Sequence, residues 1–160
     1  MVCNMEKICF LFGHRDAPDA AAPLLDAALE HHYTVLGARV FLVGSRGHFD
    51  ALAAAALQRL KTRRPDVQLL LLLAYHPEKQ TFSLPAGFDG SLFPEGMEKV
   101  PPRLAIIRAN TAALRQAASV ICWVEYPGNT RNLLQSAEAR IARGTLAVPN
   151  LADAAAAIRT

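Results

Sequence analysis

The sequence predicts an α/β protein with a three-layer α/β/α, Rossmann-like, doubly wound sheet of about five mainly parallel strands. Two patterns predict this class. Short apolar runs alternate along the chain with longer helical patterns. The runs are apolar at successive positions, which is typical of parallel strands covered on both faces. The length of 160 residues and the hydrophobic content of 52% fit one domain over residues 1–160.

Five apolar runs are predicted as strands, because each is too short for an independent helix and is bounded by glycine, proline or polar residues. They cover residues 8–12, 40–43, 67–74, 120–124 and 146–148. In an open parallel sheet, ligands bind beyond the carboxyl ends of the strands, where the strand order reverses. The loops after these strands are therefore the candidates for a functional site.

The segments between the runs carry apolar residues at spacings of three and four, which predicts helices. Helices are expected over 25–32, 49–60, 101–117, 130–144 with Thr130 as N-cap, and 152–158. His31 and His32 end the first of these, and we expect them on the surface, where they compensate the helix dipole. Residues 76–100 combine glycines and prolines with three phenylalanines, which favours a packed functional loop.

Several protein classes are excluded by composition. The longest apolar stretch, 69–75, is far short of the roughly 20 residues that a membrane span needs, so no membrane association is expected. No secretory pattern follows the first apolar run, which favours a cytoplasmic location. The three cysteines form no CxxC pair and are interpreted as reduced core residues. A net charge of +3 permits anion binding without requiring nucleic acid.

Glycines and arginines follow the first two strands. Gly13, His14 and Arg15 come after the first, and Gly44, Ser45, Arg46 and Gly47 come after the second, just before Asp50. Arginine offers bidentate donors to phosphate, and two glycines before a helix N-terminus form a cradle of backbone amides for an anion. Asp50 is either a functional carboxylate or a residue that stabilises the helix dipole. No GxGxxG and no P-loop is present.

The remaining candidate ligand-binding residues follow the third and fourth strands or lie on the helix between them. Tyr75 can stack on a ring, and Arg108 and Asn110 are polar positions on an otherwise apolar helix. Glu125 precedes a further glycine turn into a helix, formed by Gly128, Asn129, Thr130 and Arg131. His14, His48 and His76 each follow a strand, but their spacing matches no known ligand pattern, so neither a metal nor a cofactor is expected.

Four segments together resemble the SLOG superfamily (SMF/DprA-LOG), and more narrowly its small YspA-like or YpsA-like bacterial branch. They are Gly13-His14-Arg15, the segment FLVGSRGHFD at 41–50, LAYHP at 73–77 and PPRLAIIRAN at 101–110. The resemblance covers nearly the whole chain as a single SLOG-like domain. It implies a Rossmann-like fold that binds nucleotides or nucleotide-derived ligands at the loops after strands one, two and four.

The superfamily includes the LOG phosphoribohydrolases, which cleave the N-glycosidic bond of a nucleoside monophosphate, and DprA, which binds single-stranded DNA. The hydrolases resemble P-G-G-x-G-T-x-x-E at their fourth strand, where the glycines hold phosphate and the Glu takes part in cleavage. Here Pro127 and Gly128 match, whereas Asn129, Arg131, Asn132 and Gln135 depart from the pattern. A glutamine cannot exchange a proton as a glutamate does.

The favoured function is binding or sensing of a nucleotide or nucleotide-derived phosphorylated small molecule. A nucleotide N-glycosidase is the alternative, with Asp50 or Glu125 as the carboxylate. Single-stranded nucleic-acid binding is less favoured, because the basic residues are scattered and aromatics make up 7%. The alanine-rich helix faces are flat and allow close packing, which is compatible either with a homo-oligomer or with packing inside the monomer.

Overall fold

The computed structural model describes residues 7–78, 80–142 and 150–153. Within them lies a five-stranded, entirely parallel sheet with the strand order β4-β3-β2-β1-β5. The strands are β1 (Ile8–Gly13), β2 (Val40–Val43), β3 (Gln68–Leu72), β4 (Gly90–Leu92) and β5 (Ser119–Trp123). The chain leaves β1 toward β2 on one side and later returns to place β5 on the other. The predicted Rossmann-like class is confirmed, and the order reverses between β1 and β5.

Helices pack on both faces of this sheet. They are α1 (Ala21–Thr34), α2 (His48–Arg63), α3 (Ala105–Gln116) and α4 (Asn129–Ala142), with short 3₁₀ turns at Met97–Lys99 and Pro102–Leu104. Alternate residues of β1 divide between two cores: Leu11 packs with α1 and α2, whereas Phe12 packs with α3 and α4. This division explains why β1 and β2 carry no polar side chain at any position. Within the described ranges, no helix is both long and apolar enough to cross a membrane.

Two segments differ from the sequence interpretation. Residues 76–100, predicted as a loop, contain the short edge strand β4, which pairs with β3 from Leu70↔Gly90 to Leu72↔Leu92. The predicted strand over 146–148 lies outside the described residues, although Asn150 forms an isolated parallel bridge with Cys122. The last predicted helix begins within 151–153, and its remainder also lies outside them.

His32 is buried, so its predicted surface position is wrong, while His31 is exposed. Nδ1 of His32 lies 3.0 Å from Oγ of Ser119 and 3.5 Å from Sγ of Cys9, at the amino ends of the paired strands β1 and β5. Burial, assisted by the neighbouring His31, lowers the pKa of His32 from 6.5 to about 4. The neutral ring therefore joins α1 to the sheet as part of the core.

Candidate functional site

A cleft of about 810 Å³ lies at the carboxyl ends of the strands. Its walls come from the loops after β1, β2 and β3 on one side and from α3 and the first turns of α4 on the other. The structure brings these sequence-predicted residues to the cleft: Gly13, Arg15, Gly44, Ser45, Arg46, Asp50, Tyr75, Asn110, Asn129 and Thr130. The other predicted residues do not line it: His14, Gly47, Arg108, Glu125, Gly128 and Arg131.

Two glycines allow close packing at the loops after β1 and β2. Gly47 has φ 97° and ψ 179°, and a Cβ at this position would lie 2.5 Å from Cα of Arg15. The amide of His48 donates to the carbonyl of Arg15 at 2.8 Å. A Cβ on Gly13 would likewise lie 2.5 Å from the ring of Phe49 in α2. Both loops therefore need backbone without a side chain at the contact, and Arg15 is held at the rim of the cleft.

Two amide groups at the start of α2 are engaged within the protein. The amide of His48 is bonded to Arg15, and the amide of Arg46 donates to Oδ2 of Asp50 at 2.9 Å. The predicted backbone cradle for an anion is therefore filled at these two amides. The side chains of Arg15, Ser45 and Arg46 remain as the ligand groups that this region presents to the cleft.

Asp50 lies in the first turn of α2 and is half-buried against the cleft. Burial raises the pKa of its carboxyl group from 3.8 to about 7, and the hydrogen bond from the amide of Arg46 offsets part of this rise. A carboxyl group with a pKa near neutral can exchange a proton with a bound molecule. Glu125, the other predicted carboxylate, is exposed and lies outside the cleft.

Arg46 connects the loops after β2 and β3 on one side of the cleft. Its guanidinium lies 5.2 Å from the ring centroid of Tyr75 and donates to Oε1 of Gln80 at 3.3 Å. Tyr75 in turn donates its hydroxyl to the carbonyl of Pro102 at 3.3 Å. The cation thus lies over the face of the aromatic ring, and both side chains line the cleft.

His14 holds the loop after β5 rather than lining the cleft. It is buried, and its Nε2 accepts hydrogen bonds from the amides of Glu125 at 2.8 Å and Tyr126 at 3.3 Å. Its ring stacks on that of Tyr126 at 3.7 Å, and the Tyr126 hydroxyl donates to Asp16. Burial is the main cause of a lowered pKa for His14. The neutral imidazole therefore positions the segment that leads into α4.

The N-terminus of α4 opens on the cleft. The carbonyl of Gly128 accepts from the amide of Asn132 at 3.0 Å, so Gly128 is in the capping position and Thr130, the predicted cap, lies within the first turn. Asn129 and Thr130 line the cleft. First-turn amides have no partner within their own helix, and the helix dipole is positive there. This end of α4 is therefore suited to an anion.

Several residues that line the cleft were not singled out from the sequence: Gln80, Phe82, Arg103, Ile106, Ile107 and Asn132. Phe82, Ile106 and Ile107 are large apolar side chains with 38–40% of their surface exposed. They form the lip of the cleft, which we call the apolar lip. Arg103 was within reach of sequence reasoning, because it directly follows the Pro101-Pro102 pair at a helix start.

No group of three or more histidine, cysteine or acidic side chains suited to a metal ion occurs among the described residues. The three histidines that follow strands have separate partners. His14 accepts from two backbone amides, His48 Nε2 lies 2.6 Å from Asp19, and His76 Nδ1 accepts from the amide of Glu78.

Comparison with known proteins supports the fold. No protein-family model and no curated protein matches the sequence. The structure is similar to that of DNA processing protein A (DprA) from Streptococcus pneumoniae, with a TM-score of 0.60 and 14% sequence identity. The similarity covers 91% of this chain and 50% of that chain, so the chain spans half the length of DprA. At this identity the likeness shows a DprA-like, Rossmann-like fold.

Proposed function

We propose that the protein binds or senses a nucleotide or nucleotide-derived phosphorylated small molecule in the cleft. One observation carries the proposal: three arginines, Arg15, Arg46 and Arg103, line the cleft together with a single carboxylate, Asp50, among the described residues. Arginine binds phosphate oxygens through paired N–H donors. A cleft with this charge, at the carboxyl edge of a doubly wound sheet, favours a phosphorylated ligand.

The phosphate fits best between Arg15 and the N-terminus of α4. Arg15 follows β1, α4 follows β5, and these two strands are neighbours at the point where the strand order reverses. Two amides at the start of α2, those of Arg46 and His48, are engaged, whereas the first turn of α4 presents amides and Thr130. This arrangement also agrees with an assignment to the SLOG superfamily and its small YspA-like or YpsA-like branch, which the DprA-like fold supports at the level of the superfamily.

The experiment titrates the wild-type protein with the common nucleoside mono-, di- and triphosphates. Binding is measured by thermal shift and by calorimetry. Arg15→Gln and Arg46→Gln should each weaken binding by about tenfold or more, because a charged hydrogen bond is worth about 1.5–3 kcal/mol. Arg115→Gln is the matched control, since Arg115 is exposed on the last turn of α3 and outside the cleft. Absence of binding by every nucleotide would refute the proposal.

The positions of Arg108 and Arg131 give a second, independent check. Both were expected to bind ligand, and neither lines the cleft. Arg108→Gln should therefore bind nucleotide as tightly as the wild type, and Arg131→Gln, which removes a charge from the first turn of α4 without removing a contact in the cleft, should weaken binding by less than about threefold. A loss equal to that of Arg15→Gln would place the ligand outside the cleft described here.

A nucleotide N-glycosidase is the second candidate, and Asp50 is the observation in its favour. This carboxyl group lines the cleft with a pKa of about 7, so it can act as a general acid or base near neutral pH. Release of free base from nucleoside monophosphates would be followed by chromatography. Asp50→Asn should abolish release while nucleotide binding persists, and Glu125→Gln should change neither. If the wild type binds nucleotides but releases no base, the glycosidase function is refuted and the binding function stands.

A further inference from the structure

We infer that Asp50 binds the hydroxyl groups of the ligand's sugar, so that the cleft selects a ribonucleotide over a nucleotide whose sugar lacks these hydroxyls. The inference rests on the proposed function, because it concerns a ligand in the same cleft. It assigns to Asp50 a role in specificity, whether or not a bond is broken.

The Asp50 carboxylate is fixed at the end of β2. Its Oδ2 accepts from the amide of Arg46 at 2.9 Å, and a Cβ on Gly44 would lie 3.0 Å from the same oxygen. Gly44 is the first residue after β2, so the carboxylate lies against backbone that carries no side chain. The carboxylate is therefore held in one position before any ligand binds.

The second carboxylate oxygen is available to a ligand. Oδ1 of Asp50 has no hydrogen-bond partner in the part of the chain that the structure describes. The cationic side chains around the cleft, Arg15, Arg46 and Arg103, only donate hydrogen bonds. A fully ionised phosphate has acceptor oxygens and no donor, so it is complementary to the arginines. Asp50 needs the opposite partner, a donor such as a sugar hydroxyl.

The position of Asp50 relative to the other groups favours the sugar. Gly47 lies three residues before Asp50 and packs against the backbone of Arg15. The start of α2, which carries Asp50, therefore lies against the loop of the proposed phosphate-binding arginine. In a nucleotide the sugar lies between the phosphate and the base. The base can then extend to the apolar lip of Phe82, Ile106 and Ile107, whose exposed surface suits a flat ring.

The test compares each ribonucleoside 5′-monophosphate with its 2′,3′-dideoxy counterpart at pH 8, by calorimetry on the whole chain. The wild type should bind the ribonucleotide about tenfold or more tightly, the effect of one hydrogen bond to a charged group. Asp50→Asn keeps an oxygen for the amide of Arg46 but replaces the acceptor that the hydroxyls need. It should bind both sugars within about threefold of each other.

Two variants serve as controls. Glu125→Gln removes a carboxylate outside the cleft and should keep the full preference for the ribonucleotide. Arg15→Gln should weaken both nucleotides by the same factor, because the phosphate is common to them. Thermal unfolding without ligand shows whether Asp50→Asn is folded.

A second measurement uses only the wild type. Burial raises the pKa of Asp50 to about 7, and a hydroxyl donor favours its ionised form, so binding at pH 7 should release protons. The ribonucleotide should release more protons than the dideoxynucleotide in buffers of different ionisation enthalpy, since both carry the same phosphate and meet the same Arg15, Arg46 and Arg103.

Equal affinity and equal proton release for the two sugars would overturn the inference while leaving the proposed function standing. A preference that persists in folded Asp50→Asn would also overturn it. If the wild type binds neither nucleotide, the proposed function fails, and the inference fails with it.

Discussion

Replacing Gly47 by alanine tests whether the loops after β1 and β2 are packed together as the structure shows. Gly47 has φ 97° and ψ 179°, a region that only glycine adopts readily, and another residue there costs about 1–3 kcal/mol. The new Cβ would lie 2.4 Å from Cβ and 2.5 Å from Cα of Arg15. Relieving this overlap costs about 1–3 kcal/mol more. The free energy of unfolding should therefore fall by about 2–6 kcal/mol.

The assay is urea unfolding followed by circular dichroism, supported by thermal melts. For a chain of this size, each kcal/mol corresponds to about 2–4 °C, so the melting temperature should fall by roughly 4–24 °C. Gly37→Ala is the matched control, because Gly37 also has a positive φ, 75°, but a Cβ there would meet nothing within 4 Å. It should lose only the cost of backbone strain, about 1–2 kcal/mol.

The difference between the two variants measures the contact between the loops. If Gly47→Ala loses no more stability than Gly37→Ala, the close approach of Arg15 to this turn is refuted. Gly47→Ala should also weaken nucleotide binding, because Arg15 must move from the rim of the cleft. Gly37→Ala should leave binding unchanged.

Three further predictions concern buried groups. The pKa of His32 is lowered from 6.5 to about 4, so the neutral ring stabilises the fold above pH 6.5 and this stabilisation is lost as the pH falls toward 4. Urea titrations should show a fall of about 3 kcal/mol in the free energy of unfolding over this range. The fall should be absent in His32→Gln. The pKa of His14 is also lowered, so its protonation in acid below pH 6.5 should reduce the protection from hydrogen exchange, relative to the intrinsic rate at each pH, of the two amides from which it accepts; unchanged protection would contradict its bonding to the loop of Tyr126. Burial raises the pKa of Cys9 to about 12 and raises that of Cys122 as well, so peptide mapping should find neither thiol alkylated by iodoacetamide at pH 8 in the native protein and both alkylated in urea.

Most of the sheet could be predicted, because β1, β2, β3 and β5 are largely buried on both faces and, apart from the first residues of β3 and β5, Gln68 and Ser119, are apolar or glycine throughout. The edge strand β4 has no such signal. It consists of three half-buried or exposed residues, Gly90–Leu92. Asp89 holds the chain here by accepting hydrogen bonds from the amide of Leu69 and from Lys61. Contacts between residues so far apart in the chain leave no local pattern.

The site could be predicted in part for a related reason. Arg15 and Arg46 come two and three residues after parallel strands, and residues in that place lie at the carboxyl edge of the sheet. The direction of Arg108 depends on the rotation of α3 about its axis, and it faces away from the cleft toward solvent. His14 sits where a ligand group was expected, but it accepts the amides of a loop more than a hundred positions away in the sequence.

The contacts between loops also bear on how this fold can change in evolution. The turns after β1, β2 and β5 are joined by Gly47 against Arg15 and by His14 against the amides of Glu125 and Tyr126. An inserted or deleted residue in any of these turns would break a contact in another, so their lengths are fixed together. The connection over 73–89 is less restricted at its exposed residues 81–84, three of which, Thr81, Phe82 and Ser83, line the cleft. New ligand sizes would therefore be accommodated by changing the length of that connection while the three turns stay as they are.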